Sequence, residues 1–454
     1  MAAASLVEVR AQLEASNRTK ASLSLQLHEG AHYSLGGEQL RISGFNLTLH
    51  STGIGATLDG QRLSRLLLVE GGAAVRLHNL HLVNGDALTG GGGLRLMEGS
   101  TCTMTSSTIT HCKTGDRRGP DAQEGGGLYV HGDSRCTMAN CTIAHCRAAQ
   151  GGGAFLQHRS TCLMTSCTVA NCTATIGSGG GVLYITKSAL SLIDSRIVSC
   201  RAYAEGAGVS AAYGSDLTMK RGLVSDCHTE GNGGGVALFR SYAILTDTFI
   251  VGCSSSKDGG ALLVWMTSTV TLATSHIVNC SAISGSGGAV ALITGGSATI
   301  IGTTIQDCRA DGSSFSEASG YVQGAVVVRS QGGGIFARGS RVLLQNGTSI
   351  VGCYAPGSSS TIASTAGSQV MYQLPAPPGR WIAGSECLVY REACPIKGET
   401  QDPECLRVVD QCARESNTTA AVDGVPCTPA MIAQPYAAIS IQLNFNAPVL
   451  SILP

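Results

Sequence analysis

Charge is scarce in this chain. Asp, Glu, Lys and Arg make up 13% of its 454 residues, about half the usual globular share. The 30 basic residues balance the 30 acidic ones, so there is no basic field to hold a nucleic-acid backbone and no acidic tail. Aromatics are 4%, which excludes a core built on large rings. No run of 18 apolar residues occurs, so no membrane-spanning helix is encoded. The opening segment MAAASLVEVRAQLEAS carries charges and has no uninterrupted apolar centre, so it does not read as a signal peptide. No Gly-x-Ser-x-Gly elbow and no P-loop appear.

What is abundant is small and apolar. Glycine accounts for 60 residues and hydrophobic residues for 43%, a composition suited to thin stacked layers rather than to disorder. The pattern Ile/Val-x-x-Cys recurs, ending at Cys112, Cys146, Cys172, Cys200, Cys227, Cys253, Cys280, Cys308 and Cys353. Successive spacings are 34, 26, 28, 27, 26, 27, 28 and 45. Asn84 holds the cysteine slot one repeat earlier. Glycine clusters keep the same period: Gly125–Gly127, Gly151–Gly153, Gly179–Gly181, Gly206 with Gly208, Gly233–Gly235, Gly259–Gly260 and Gly287–Gly288. A fixed period of about 27 over this many copies signals a solenoid. Each repeat contains three short β-branched or apolar runs ending at glycine or small polar residues. The expected fold is therefore all-β, a parallel β-helix with three short strands per coil and a rise of roughly 4.8 Å per coil.

The cysteines fall into columns of this helix. One inward column runs Cys102, Cys136, Cys162, Leu190, Leu217, Ala243 and Val270, and a second holds Ser107, Cys141, Cys167, Ser195 and Gly222. Exchange with Leu, Ala and Val marks these thiols as small buried apolar groups. The repeat region has no CxxC, the usual zinc spacing, so no metal and no cofactor are expected. Disulfides between neighbouring coils remain open, because the coil spacing lies inside the Cα window of such bonds.

The GGG-plus-apolar and Ile/Val-x-x-Cys motifs together resemble the repeats of chlamydial polymorphic outer-membrane proteins. The segment ATLDG, 56–60, followed by LLLVEGGAAVRLHNLHLVNG, resembles the opening coils of pectate-lyase-like β-helix proteins. The resemblance covers residues 20–355. It implies a right-handed helix displayed outside the cell, with an adhesive or structural role. YQLPAPPGRW, 372–381, and the spaced cysteines after it resemble tails of large surface β-helix proteins of unicellular algae.

The expected organisation is a helical cap over 1–20, the β-helix over 21–356 and a linker over 357–371. A cysteine-rich module over 372–430 and an unassigned tail over 431–454 follow. Polar insertions at 113–124 and 309–331 are expected as loops on one face. Cys387, Cys394, Cys405, Cys412 and Cys427 are disulfide candidates. Asn17, Asn46, Asn140, Asn171, Asn279, Asn346 and Asn417 head Asn-x-Ser/Thr sequons and are glycosylation candidates. Together they favour an oxidising, extracellular setting, with extracellular glycans or proteins as partners.

A carbohydrate-active alternative rests on Asp194, Arg221 and Asp247, which each sit six residues before a column cysteine on consecutive coils. The carboxylates would lie about 10 Å apart with the guanidinium between them. Pectate-lyase relatives use an arginine base beside carboxylates, so the trio is the candidate catalytic set. Asp226 and Asp307 share another slot but lie three coils apart, too far for paired-carboxylate hydrolysis. His111 and His145 share a slot on neighbouring coils, and no third ligand accompanies them.

Overall fold

The computed structural model describes residues 2–3, 5–115, 124–311, 332–345 and 347–355, together with backbone strands at 362–365, 369–373, 396–397, 400–401, 421–422, 425–426 and 438–442. It is a parallel β-solenoid of about 27 residues per coil. Three long sheets run its length. Sheet 1 has fifteen strands, from Ala2–Ala3 through Leu23–Leu27 and Thr161–Thr165 to Ala438–Gln442. Sheet 2 has twelve, from His32–Ser34 to Ser349–Val351, and sheet 3 has twelve, from Leu40–Ser43 to Ile362–Thr365. The three expected strands per coil are present. A fourth ladder of nine two-residue strands, Asp86–Ala87 to Arg309–Ala310, was not legible because two residues carry no alternation.

Alternation sets each register. Along Thr161–Thr165, Cys162 and Met164 are buried while Thr161, Leu163 and Thr165 are not. They stack on Cys136 and Met138 of the coil before and on Leu190 and Leu192 of the coil after. Cys167, Val169 and Cys172 are buried as expected. The fourteen described cysteines are free, buried thiols. In the column of Cys112 to Cys353 each thiol donates to the carbonyl two residues back, as Cys172 Sγ does to Ala170 O at 3.3 Å.

Two corners turn on a single left-handed residue. The first comprises Asn79, Ser106, Asn140, Ser166, Asp194, Arg221, Asp247 and Thr274, with φ between 47° and 56°. The second comprises Asn84, His111, His145, Asn171, Ser199, Asp226, Asn279 and Asp307; Asn84 is thus level with His111, and Gly85, not Asn84 as expected, is level with Cys112. Asn and Asp enter this conformation more readily than other side chains. The strain of each corner is offset by bonds to the next coil, such as Asp194 N to Lys220 O at 3.0 Å. A serine column secures the third corner. Ser160 N donates to Ser188 Oγ at 3.3 Å, Ser188 N to Ser215 Oγ at 3.3 Å and Ser241 N to Ser268 Oγ at 3.1 Å.

The cap is helix α1, Leu6–Thr19. Ser5 and Glu8 form a capping box, and Lys20 closes the end at φ 60°. Val9 and Leu13 are buried and join the core cluster, shielding a strand edge that would otherwise recruit another chain. At the other end, Ile362–Thr365 pairs with Ile335–Arg338 and Gln369–Gln373 with Arg341–Gln345, both parallel. The linker expected over 357–371 therefore contributes a further coil. Its Ser/Thr-rich composition concealed strand-forming Ile362, Val370 and Met371. Ala438–Gln442, expected as unassigned tail, pairs antiparallel with Gln369–Gln373. Asn346, Asn417, Cys387, Cys394, Cys405, Cys412 and Cys427 lie outside the described residues.

Candidate functional site

The coil stacking brings Asp194, Arg221 and Asp247 into one ladder at the first corner, but not as a clamp. Arg221 turns wholly to one side. Its Nε donates to Asp194 Oδ1 at 2.6 Å and its Nη2 to Asp194 Oδ2 at 2.9 Å. Asp247 Oδ1 instead accepts from Thr274 Oγ1 at 2.5 Å. The Asp194 carboxylate raises the Arg221 pKa above its ordinary value and Arg221 lowers that of Asp194, which fixes both as charged groups. A guanidinium held this way is further from a base than a free one. All three sit at the left-handed corner, and Asp194 and Arg221 form an exposed ion pair. Replacing Arg221 with Ala should leave the thermal midpoint within experimental error, because exposed pairs contribute little; differential scanning calorimetry checks this.

Burial pushes the Cys146 and Cys172 thiols well above their ordinary value, which keeps these two protonated. Among the described residues, no group of three or more His, Cys, Asp or Glu side chains could hold a metal ion. His111 and His145 stack with ring centroids 5.0 Å apart. Asn46, Asn140, Asn171 and Asn279 are exposed. Asn17 differs: its Nδ2 donates to Arg41 O at 2.8 Å and its Oδ1 accepts from Ser43 N at 3.0 Å.

Two features escaped the sequence reading. One lies on the outer side of sheet 3, around Glu124. Glu124 is buried and accepts from Gln157 Nε2 at 3.2 Å. Gln157 also donates to the Tyr129 hydroxyl, and the Arg95 guanidinium lies 5.2 Å from the Tyr129 ring centre. Burial raises the Glu124 carboxyl to about 7 and Tyr129 to about 12. The network leaves one buried donor, Arg95 Nε, without a hydrogen-bond partner.

The other is an aromatic corner where sheet 3 passes into sheet 1. Phe239 and Trp265 end successive sheet 3 strands in register, and Tyr213 follows the strand before. Their rings meet edge to face with centroids 5.1 Å apart at both contacts, the geometry aromatic pairs prefer. Arg240 lies 5.5 Å from the Phe239 ring centre. Around the corner, Tyr242 and Ile244 point outward from sheet 1. Tyr213, Tyr242 and Ile244 are each more than half exposed, at 54%, 56% and 53%. In a chain with so few aromatics, this is a concentrated contact surface. The signal was in the sequence: Tyr213, Phe239 and Trp265 are spaced by 26 and 26, the repeat period itself.

The family model described as a right-handed β-helix region matches residues 65–272 and 180–353, together more than half of the chain. No curated protein matches the sequence. Among solved structures, the Agl-KA catalytic domain is similar at 14% identity and a TM-score of 0.49, covering 81% of this chain and 65% of that one. PfbA, a surface adhesin of Streptococcus pneumoniae, is similar at 9% identity and 0.35, over 81% and 84%. The alginate lyase AlyF-OU02, solved with G6, is similar at 12% and 0.38, over 80% and 86%. Likeness at this level concerns the fold alone.

Proposed function

This chain belongs to the family of proteins with a right-handed β-helix region, and from that premise we propose a non-catalytic protein that is secreted or displayed on a cell surface. Its role is adhesive or structural, and it binds glycans or proteins along its long face. The observation that carries this reading is the aromatic corner of Tyr213, Phe239 and Trp265 with Tyr242 and Ile244 beside it. Rigid, half-exposed rings give large contact area at small entropic cost. No comparable group of titratable side chains is organised around Arg221, whose charge is already spent on Asp194.

Binding of the full chain to an immobilised panel of glycans and extracellular proteins tests this. Trp265→Ala or Phe239→Ala should weaken binding at least about tenfold, the usual effect of losing an aromatic anchor, while Arg221→Ala leaves it unchanged. The reading falls if the protein cleaves a polysaccharide and Arg221→Ala abolishes cleavage. That outcome would favour the enzyme built on Asp194, Arg221 and Asp247.

The extracellular setting is part of the same proposal. Exposed Asn46, Asn140, Asn171 and Asn279 support it. An intact-mass decrease on enzymatic deglycosylation of the native protein is the expected result. An unchanged mass together with nineteen free thiols would place the protein in a reducing compartment.

A further inference from the structure

We propose that the ligand of the aromatic corner is an anionic glycan, a sugar chain bearing carboxylate or sulfate groups; this rests on the reading of that corner as the binding surface. Sugar rings present C–H faces that pack on aromatic side chains, and the corner supplies these rings in a row. What selects the charge is the slot beside them. Lys187, Gly214 and Arg240 lie at the same corner on three successive coils: Lys187 N donates to Tyr213 O at 3.1 Å and Gly214 N to Arg240 O at 2.7 Å.

Gly214 contributes no side chain, and a Cβ built there would meet Lys187 Cγ at 3.7 Å. The lysine stem thus lies beside the glycine. Arg240 rests against Phe239, the middle ring of the row. The two cations thus lie beside the Tyr213 end of the row and beside its middle ring, about two coil spacings, roughly 10 Å, apart. Neither makes an ion pair among the described residues, unlike Arg159, Arg221 and Arg309, whose charges are met by Asp133, Asp194 and Asp311.

The carboxylate nearest in the chain is Asp216, which opens the sheet 1 strand Asp216–Lys220. The corner therefore carries two cations to one anion in a chain that is neutral overall. A nucleic acid fits poorly, since tracking a phosphate backbone takes many more cations than two. A chain of sugars with spaced acidic groups needs only the pair.

The test uses the full chain with four soluble probes: oligogalacturonate, a heparin-derived oligosaccharide, cellohexaose and maltohexaose. At least one acidic probe should bind, and raising sodium chloride from 50 to 500 mM should weaken that binding. The double substitution Lys187→Gln and Arg240→Gln keeps both stems and should reduce affinity at least about tenfold. Circular dichroism confirms that the fold is retained. Acidic binding lost in the double variant supports the proposal, and the two acidic probes distinguish carboxylate from sulfate. Neutral oligosaccharides bound equally well, with affinity lowered by Trp265→Ala but not by the double variant, would overturn it while leaving the glycan-binding reading intact. No binding to any probe, with an unaltered Trp265→Ala profile, would sink the anionic-glycan proposal and the glycan arm of that reading together.

Discussion

Gly179→Val should open the solenoid in its middle and cost about 4 kcal/mol or more, the range of the severest single substitutions. The glycines of each triplet are not equivalent. The first, represented by Gly125, Gly151, Gly179, Gly206, Gly233, Gly259, Gly287 and Gly332, has φ between 59° and 70° throughout. At Gly179 a Cβ would lie 2.5 Å from Leu183 Cβ and 2.6 Å from Leu183 N. Strand backbone cannot retreat without breaking the bond from Val182 N to Gly208 O, and a β-branched residue at positive φ adds strain of its own. The second and third places are more forgiving, since Ala207 sits in one, and Ala261 and Ala289 in the other, all fully buried. Gly181→Ala is the comparison: its Cβ would lie 2.5 Å from Gly208 O, so it also costs stability, but without the positive-φ strain and the β-branch it is expected to cost less. Chemical denaturation with hydrogen exchange resolved along the chain separates the outcomes. Equal loss in both variants would refute the distinction. A solenoid unfolds by units, so protection should fail first around the coils flanking residue 179.

Glu124→Gln should stabilise the protein at pH 8 by about 2 kcal/mol and have little effect at pH 4. The folded carboxyl titrates at about 7, above its ordinary value of about 4.3. Between these values the unfolded chain has released its proton while the folded one retains it, so stability falls as pH rises. Below the window both states hold the proton and the effect vanishes; above it the penalty is constant. Fully expressed, a rise of this size is worth at most about 4 kcal/mol, a figure that already contains the opposing pull of the Arg95 guanidinium; relaxation of the site on ionisation brings the expected effect to about half. Glutamine cannot ionise and keeps an acceptor for Gln157. Melting midpoints of both proteins at pH 4, 6 and 8 check this. Parallel profiles would show that Glu124 is not the titrating group.

Period carried the fold into the sequence. Column cysteines and glycine clusters repeating every 26–28 residues require stacked coils, and the alternation in Thr161–Thr165 decides which side chains enter the core. Asp194, Arg221 and Asp247 were found for the same reason, because a shared slot in the repeat means a shared column. Their use was not legible. A guanidinium between two carboxylates on paper can pair with either, and the rotamer that gives both bonds to Asp194 depends on distances across the coil stack. The short ladder beside Cys172 was missed because two residues cannot show a period. The coil at Ile362–Thr365 was missed because the linker-like composition around it hides a strand that needs only a neighbour to pair with.

The sequence by itself determined the solenoid, its period, its inward columns and the helix at its start. These follow from spacing and polarity, which are properties of one dimension. Only the tertiary structure decided which outward residues meet. Tyr213, Phe239 and Trp265 are 26 residues apart along the chain, yet their rings touch because the coils stack one above another. Lys187 and Arg240 come beside them for the same reason, and Glu124 meets Tyr129 and Gln157 because neighbouring strands place them side by side. Outward side chains obey no pattern that folding must satisfy. Their partnerships arise only when the stack has formed.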